Sequence, residues 1–478
     1  MIAIFTIILI CLLSMIYLRK HKKKNLPPGP TGLPIIGYMP FLNKNPALTY
    51  TELAKDYGPV FSVQIGTEHC VVLNSRDAIH EALIKNGRLT ANRPRIKLLE
   101  EINYGLSITF NGGPVWKRQR MFALKTIKGF SKQMIEDKIL EEISYLCEDL
   151  SKTGDEEIDC QNLLANMTAN VMINIFMGFR FPHNDKELGR ITSVVTIFSD
   201  VGILFLAPFL RHFSIFKKAY SSMLSGFFFL QGKIKSIIEK RQNSSDKKEE
   251  YSDFLNKYLD EMNNGQDESF TMRQLIIIIQ DILGAGTDTA STSILWCLFA
   301  LAVFPECQDK ISEELNNAIG QDSKVTMEHE EKLPYTRAFI QEVWRHRTPA
   351  PLAVSHETTE DMIVQGYNIP AKTTIVPNLW AVHRNPKVFK NPDEFFPERF
   401  IDEDEKFIPT DHVMPFCIGS RHCIGEQIAR MHVFLVFANI VRQFKIRKPR
   451  NKPLPSFDKG VFAVSYSPHE FNIEFHEK

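Results

Sequence analysis

The sequence predicts a mainly α chain with a small β portion, one large domain behind an N-terminal transmembrane anchor. Three observations carry this. Residues 1–17 are apolar apart from Thr6 and Ser14, and Arg19, Lys20, His21, Lys22, Lys23 and Lys24 follow. Helical periodicity dominates from about residue 74 to about 345. β-Branched and alternating patterns are confined to Val60–Leu73 and to short stretches within Leu352–Pro377.

A cleaved signal peptide carries its positive charge before the apolar run and small residues at the cleavage site. Here the charge comes after, and no such site follows. The run is at the short end of the about 17–25 residues that span a bilayer. The basic cluster holds its end on the cytoplasmic side. The reading is an uncleaved signal anchor over 1–18, a basic and proline-rich linker over 19–37, and a cytosolic body over 38–478. The sequons at Asn166 and Asn243 then stay unmodified. Asn25–Gly37 (NLPPGPTGLPIIG) cannot be helix or central strand, because each Pro fixes φ and lacks an N–H; it is expected as a stiff spacer. Val60–Leu73 reads as a hairpin around Gly66-Thr67. Glu239–Asp253 is a charged surface loop. Thr271–Phe304 is one long apolar helical pattern, but Arg273, Gln280, Asp281 and Asp288 interrupt it, so it is not a plain membrane span. A proline-rich coil follows residue 377, and a last helix starts near Cys423.

Length, at 478 residues, is by itself a soft prior for about three domains. The net charge of +1 gives no reason to expect a nucleic-acid partner. With 35 Phe against 12 Tyr and 4 Trp, the chain favours aromatic area without polar atoms, which suits a greasy interior or pocket. The 8 Cys are scattered, with no CxxC pair, so they are not a disulfide framework; most are expected as reduced, buried thiols.

One segment carries chemistry: Phe416-Cys-Ile-Gly419-Ser-Arg421-His-Cys423-Ile-Gly425. Gly419 permits a tight turn with φ > 0. Gly425 removes a side chain just past Cys423. Ile424–Val441 has a helical pattern, so Cys423 is expected where a loop enters a helix. The free N–H groups and helix dipole there favour thiolate over thiol, and Arg421 adds positive charge. A thiolate in an apolar, Gly-lined notch suits an axial ligand of haem iron.

The string resembles FxxGxRxCxG, the signature of the cytochromes P450. The resemblance implies Cys423 as the proximal iron ligand, Arg421 on a haem propionate, and Phe416 beside the sulfur with Gly425. Two other ligand sets compete for the same residues. His412, Cys417, His422 and Cys423 could suggest zinc, but adjacent His422 and Cys423 point apart and the spacing is wrong. Cys417 could be the ligand, yet only Cys423 has the flanking Arg and Gly in register.

Further matches follow in family order. Glu342 and Arg345 sit at i, i+3 on one helix face. They resemble the family's ExxR, which with Arg399 of Pro397-Glu398-Arg399-Phe400 implies a buried structural network. Trp116 and Arg120 resemble the WxxxR whose donors hold propionates, and His356 resembles a propionate-binding His of animal relatives. Tyr104 stands where many relatives carry a further base, so that contact is not carried over. Ala285-Gly286-Thr287-Asp288-Thr289 resembles [AG]Gx[DE]T. Thr hydroxyls bond back to the i−4 carbonyl, and Gly284 and Gly286 make distortion cheap, so a groove is expected there. The resemblance makes Ala285 a lining residue and Asp288 with Thr289 the proton relay.

The resemblance is closest to animal family-two microsomal enzymes, on ANRP (91–94), NGGPVWKRQR (111–120), HETTED (356–361) and the run 378–400. It implies a monooxygenase that inserts one atom of O2 into a fatty acid, steroid or foreign compound. Its cofactor would be haem b, with NADPH-derived electrons delivered by NADPH–cytochrome P450 reductase. Cytochrome b5 is a second candidate partner, and the place is the endoplasmic reticulum membrane. Expected pocket residues are Ile102–Phe110, Val201–Leu210, Ile282, Leu352–Val354 and Val461–Phe462. Phe205–Leu210 is expected to dip into the bilayer. Lys117, Arg118, Lys125 and Lys128 are a candidate basic docking patch. A haem-thiolate isomerase or dehydratase acting on peroxides and a non-enzymatic haem sensor are the rival functions; neither needs an acid–alcohol pair such as Asp288 and Thr289.

Overall fold

The computed structural model describes residues 26–154, 156–196, 214–243, 253–320, 323–450, 452–463 and 465–478. The expected anchor 1–18, the basic part of the linker, the pocket candidates Val201–Leu210 and most of the Glu239–Asp253 loop lie outside the described residues. The chain divides into two compact units. The described part of the first is 26–94, Leu352–Val382 and Ile418–Arg421; the second is Arg95–Pro351, His383–Cys417 and His422–Lys478.

The first unit is built on a four-stranded sheet of order β1-β2-β6-β3. β1 (Val60–Ile65) and β2 (Glu68–Leu73) form the expected hairpin, in register from Val60↔Leu73 to Ile65↔Glu68, with Gly66 at φ +59 in the turn. β6 (Thr374–Pro377) adds in parallel beside β2, and β3 (His356–Glu357) pairs antiparallel to β6. The strands are short because the chain between them is broken by a tight β4–β5 hairpin (Met362–Val364, Tyr367–Ile369). Tyr50, Phe61, Val63, Cys70 and Val72 form the core on one face.

The proline-rich segment, expected as a stiff spacer, lies against the sheet over its described residues. Proline cannot donate, but its carbonyl accepts: Ser62 donates its N–H to Pro28 O at 2.7 Å and its hydroxyl to Pro27 O at 2.8 Å. A Cβ at Gly29 would sit 1.7 Å from Ser62 O, so only glycine lets the segment lie against β1.

The second unit is helical. Its axis is the helix Met272–Val303, whose start is fixed by Thr271 accepting from the Gln274 N–H at 3.1 Å. Ile277, Ile278, Ile279, Trp296 and Phe299 are fully buried, so this helix is apolar nearly all round because protein surrounds it. Gln161–Met177 packs along it, and the C-terminal helix Glu426–Gln443 packs against both it and Lys132–Ser151. The hairpin of strands Gly460–Phe462 and Tyr466–Pro468 is bolted on: the Trp296 indole donates to Tyr466 O at 2.7 Å, and the two rings stack at 5.6 Å.

Candidate active site

Cys423 lies at the end of a loop closed on itself by the Cys423 N–H donating to Phe416 O at 3.0 Å. The loop turns by left-handed residues, Cys417 at φ +57 and Gly419 at φ +87. Gly425 is the N-cap of the helix that begins at Glu426, as the spacing predicts. Of the cysteines among the described residues, only Cys423 is exposed. A Cβ at Gly425 would be 4.0 Å from its sulfur, so any larger side chain there would cover it.

The pKa of that sulfur is set by opposing influences. Burial pushes the thiol up, and this outweighs the downward pull of the Gly425 amide and of Arg120. Arg120 pulls the sulfur's pKa down and donates to His422 O. Arg421, expected in that role, belongs to the first unit and donates through Nε to Ala91 O at 2.7 Å.

Trp116 and Arg120 share a face of the helix Gly113–Lys128, the guanidinium 6.0 Å from the indole centroid. The indole N–H, expected on a propionate, donates to Ile108 O at 3.0 Å. Tyr104 is exposed at the surface under the Arg273 guanidinium, 5.1 Å away. Among the expected docking bases, Lys117, Lys125 and Lys128 are exposed, while Arg118 pairs with Asp267 at 2.8 Å. In the first unit, His356 bonds Thr90 O through Nδ1 at 2.8 Å. A carbonyl only accepts, so Nδ1 carries the proton. Burial and Arg93 push this imidazole well below its ordinary pKa, which leaves Nε2 as an acceptor. To donate to a carboxylate, His356 would have to take up a proton.

Ala285–Thr289 lies midway along the long helix. Thr289 Oγ1 donates to Ala285 O at 2.8 Å, the expected back-bond, but the helix runs on unbroken. The opening comes from small residues: Ala285 is exposed, and nothing lies within 4 Å of where a Gly284 Cβ would be. Gly286 has another cause. Its Cβ would meet Met172 Sδ at 2.6 Å, so the neighbouring helix demands it. Asp288 is half-buried; burial raises its pKa, and a hydrogen bond from Ser465 opposes that rise.

In the sequence Asp281 is only an interruption of an apolar pattern. In the fold it is buried and accepts from Ser107 Oγ at 2.7 Å and from the Thr109 N–H at 3.1 Å, and burial lifts its pKa to about 6. Gln274 donates to Leu106 O at 2.6 Å, and Gln231 to Ile102 O at 2.8 Å. The expected pocket segment Ile102–Phe110 is thus hung from two helices by polar side chains. No local motif signals such partners. Ile282 is buried on the same helix, Val461 of the hairpin is exposed and Phe462 half-buried.

Glu342 and Arg345 are completely buried. Arg345 grips Glu342 through Nε at 2.6 Å and Nη2 at 2.8 Å, and Arg399 Nε adds a bond at 3.2 Å. The remaining Arg345 donors reach the carbonyls of His383, Pro392 and Glu394. The cluster ties the coil to the helix Pro334–His346.

The residues fit a haem iron. One soft sulfur is accessible with a guanidinium behind it, and among the described residues no three His, Cys, Asp or Glu side chains are placed to share a metal ion. A metal at Cys423 would have to bring its other ligands with it, as a porphyrin does.

Comparison with known proteins agrees. The family model for cytochrome P450 matches residues 27–475. The chain is 32% identical to human cytochrome P450 2U1 over 503 residues, covering 97% of this chain and 92% of that protein. It is 35% identical to cytochrome P450 2C21 of Canis lupus familiaris over 456 residues, 93% of each chain. Cytochrome P450 2D3 of Rattus norvegicus is 30% identical over 486 residues, covering 98% and 97%.

Proposed function

The chain belongs to the cytochrome P450 family and is one of its monooxygenases, and from that premise we propose that Cys423 ligates haem b for oxidation of a lipophilic substrate. The observation that carries this is the exposed Cys423 sulfur at a helix start, alone of the described cysteines. The haem, when bound, supplies the oxygen activation and the oxidation chemistry; the chain supplies ligation, position and protons.

Arg120 would stand behind the sulfur and temper its charge. Arg120 is the proposed propionate partner in the second unit, with Trp116, whose indole N–H is held by Ile108 O, beside its guanidinium, and Phe416, Gly425 and Ala285 as lining. His356 and Arg421 of the first unit are proposed for propionates on the family resemblance. Asp288 and Thr289 are the proposed relay. The Thr289 hydroxyl donates to Ala285 O, so its oxygen lone pairs are left to accept from a water on the open side. Asp288, one residue before, has a raised pKa and can take up and release a proton nearer neutrality.

Electrons would come from NADPH through NADPH–cytochrome P450 reductase, with cytochrome b5 as a second donor. The apolar run and basic cluster of residues 1–24 support a single-pass anchor in the endoplasmic reticulum membrane with the body in the cytosol. Fatty acids, steroids and foreign compounds are the proposed substrate range.

The test is spectral and then kinetic. Reduced protein under carbon monoxide should show the absorption band of a thiolate-ligated haem; an imidazole-type band would sink the ligand assignment. Oxygen consumption that requires both NADPH and reductase separates a monooxygenase from a peroxide isomerase or a haem sensor, which would turn over without them or not at all.

A further inference from the structure

Cys423 and Thr289 sit on different elements of the second unit, and one buried side chain touches the surroundings of both. Trp344 fills a spacer position of Glu342-Val-Trp-Arg345 and is only 5% exposed. Its ring meets the Phe416 ring edge to face, with centroids 5.5 Å apart. Phe416 O accepts the Cys423 N–H at 3.0 Å, so this contact bears on the loop that presents the sulfur. The exposed Arg430 guanidinium, held by Glu426 at 2.8 Å, caps both rings, 4.8 Å from the Phe416 centroid and 5.2 Å from that of Trp344. The indole N–H turns to the long helix and donates to Ser293 Oγ at 3.3 Å. Ser293 Oγ donates to Thr289 O at 2.8 Å, and Thr289 Oγ1 to Ala285 O at 2.8 Å. Ala285, Thr289 and Ser293 are thus successive i, i+4 neighbours on one helix face. Trp344 has a firm mount, because Glu342 and Arg345 beside it are locked in their buried pair.

We propose that Trp344 is a positioning residue for the monooxygenase reaction: through Ser293 it fixes the helical turn that carries Thr289, and through Phe416 it holds that turn in register with the Cys423 loop. This rests on the reading of Cys423 as the iron ligand and of Thr289 as part of the proton relay. The role is geometric. No proton passes through the indole, which only donates. A serine hydroxyl has one hydrogen, and accepting the indole N–H leaves that hydrogen for the Thr289 carbonyl. Back-bonds from Ser and Thr hydroxyls to the i−4 carbonyl bend a helix. Two of them act in succession here, and Trp344 sets the second. Without the indole N–H, Ser293 is free to rotate, and the backbone that aims the Thr289 hydroxyl loses its support. A shift of the Cys423 loop at Phe416 reaches Thr289 by the same route.

The experiment compares Trp344→Phe, Trp344→Leu, Ser293→Ala and Thr289→Ala in the full-length haem-loaded protein with reductase. Trp344→Phe keeps a ring against Phe416 and removes only the N–H. It and Ser293→Ala should each raise the peroxide released per NADPH several-fold while the thiolate-type carbon monoxide band stays in place. The double variant should do no more than either single one, because the two residues act as one unit. Trp344→Leu, which also takes the ring from Phe416, should shift the reduction potential of the iron in addition. Ultraviolet resonance Raman of the resting protein reads the hydrogen bond of the Trp344 indole, identified by difference against Trp344→Phe, and this bond should weaken in Ser293→Ala. The inference is overturned if Thr289→Ala uncouples the enzyme while Trp344→Phe and Ser293→Ala do not, if the indole band is unchanged in Ser293→Ala, or if Trp344→Leu leaves the potential at its wild-type value. If Thr289→Ala itself leaves coupling unchanged, the relay reading fails instead; if the wild type lacks the thiolate-type band, the ligand reading fails.

Discussion

Two charged regions of the second unit are built on opposite plans. Around Glu342 and Arg345 burial is complete: Arg345 and Arg399 both pair with the carboxylate, and backbone carbonyls accept the further Arg345 donors. At Cys423 the reactive atom is exposed, and burial of its surroundings lifts the thiol more than the Gly425 amide and Arg120 lower it. The first arrangement has nothing left to offer a ligand. The second leaves a sulfur accessible to a ligand. A saturated charge cluster holds a fold, and an under-compensated accessible one does chemistry.

The comparison can be broken at either end. The largest effect should come from Cys423→Ser: the thiolate-type carbon monoxide band and the monooxygenase turnover should both vanish, while far-ultraviolet circular dichroism stays that of the folded protein. A retained band would move the ligand elsewhere. Glu342→Gln should do the reverse, with loss of about 3–5 kcal/mol of stability in urea unfolding, because it leaves buried guanidinium charge unanswered. A loss below about 1 kcal/mol would mean that the cluster is not fully desolvated in solution.

Asp281 lies between these extremes, a buried carboxyl with neutral donors only. Its folded pKa is raised to about 6 from an ordinary 3.8. A raised carboxyl contributes stability that is complete below the unfolded value and is lost as pH rises through the folded one. The wild type should therefore gain on Asp281→Asn as pH is lowered from about 7 to about 4, by up to about 3 kcal/mol. Unfolding curves of both proteins across that window check it, and a difference that does not change with pH would refute the raised value. The smallest effect is expected at Gly286. Gly286→Ala places a methyl 2.6 Å from Met172 Sδ, and repacking of that flexible side chain should limit the loss to about 1–2 kcal/mol in thermal unfolding.

Much of the fold and of the site is legible in short stretches of sequence. The hairpin over Val60–Leu73 and the helix from Met272 follow from side-chain periodicity. The i, i+3 spacing of Glu342 and Arg345 puts them in reach whatever surrounds them. The proline segment is the counterexample, since a missing donor says nothing of where its carbonyls find their partners.

Periodicity and local spacing, then, determined which residues share a helix face or a turn, and with that the loop-to-helix placement of Cys423. They act over a few residues and need no knowledge of the rest of the chain. Tertiary structure alone decided that Arg120 donates to the carbonyl beside the sulfur and that Asp281 holds the 107–109 loop. Those outcomes depend on desolvation and on partners brought from far along the chain. Neither can be read from neighbouring residues, because both exist only once the interior has closed.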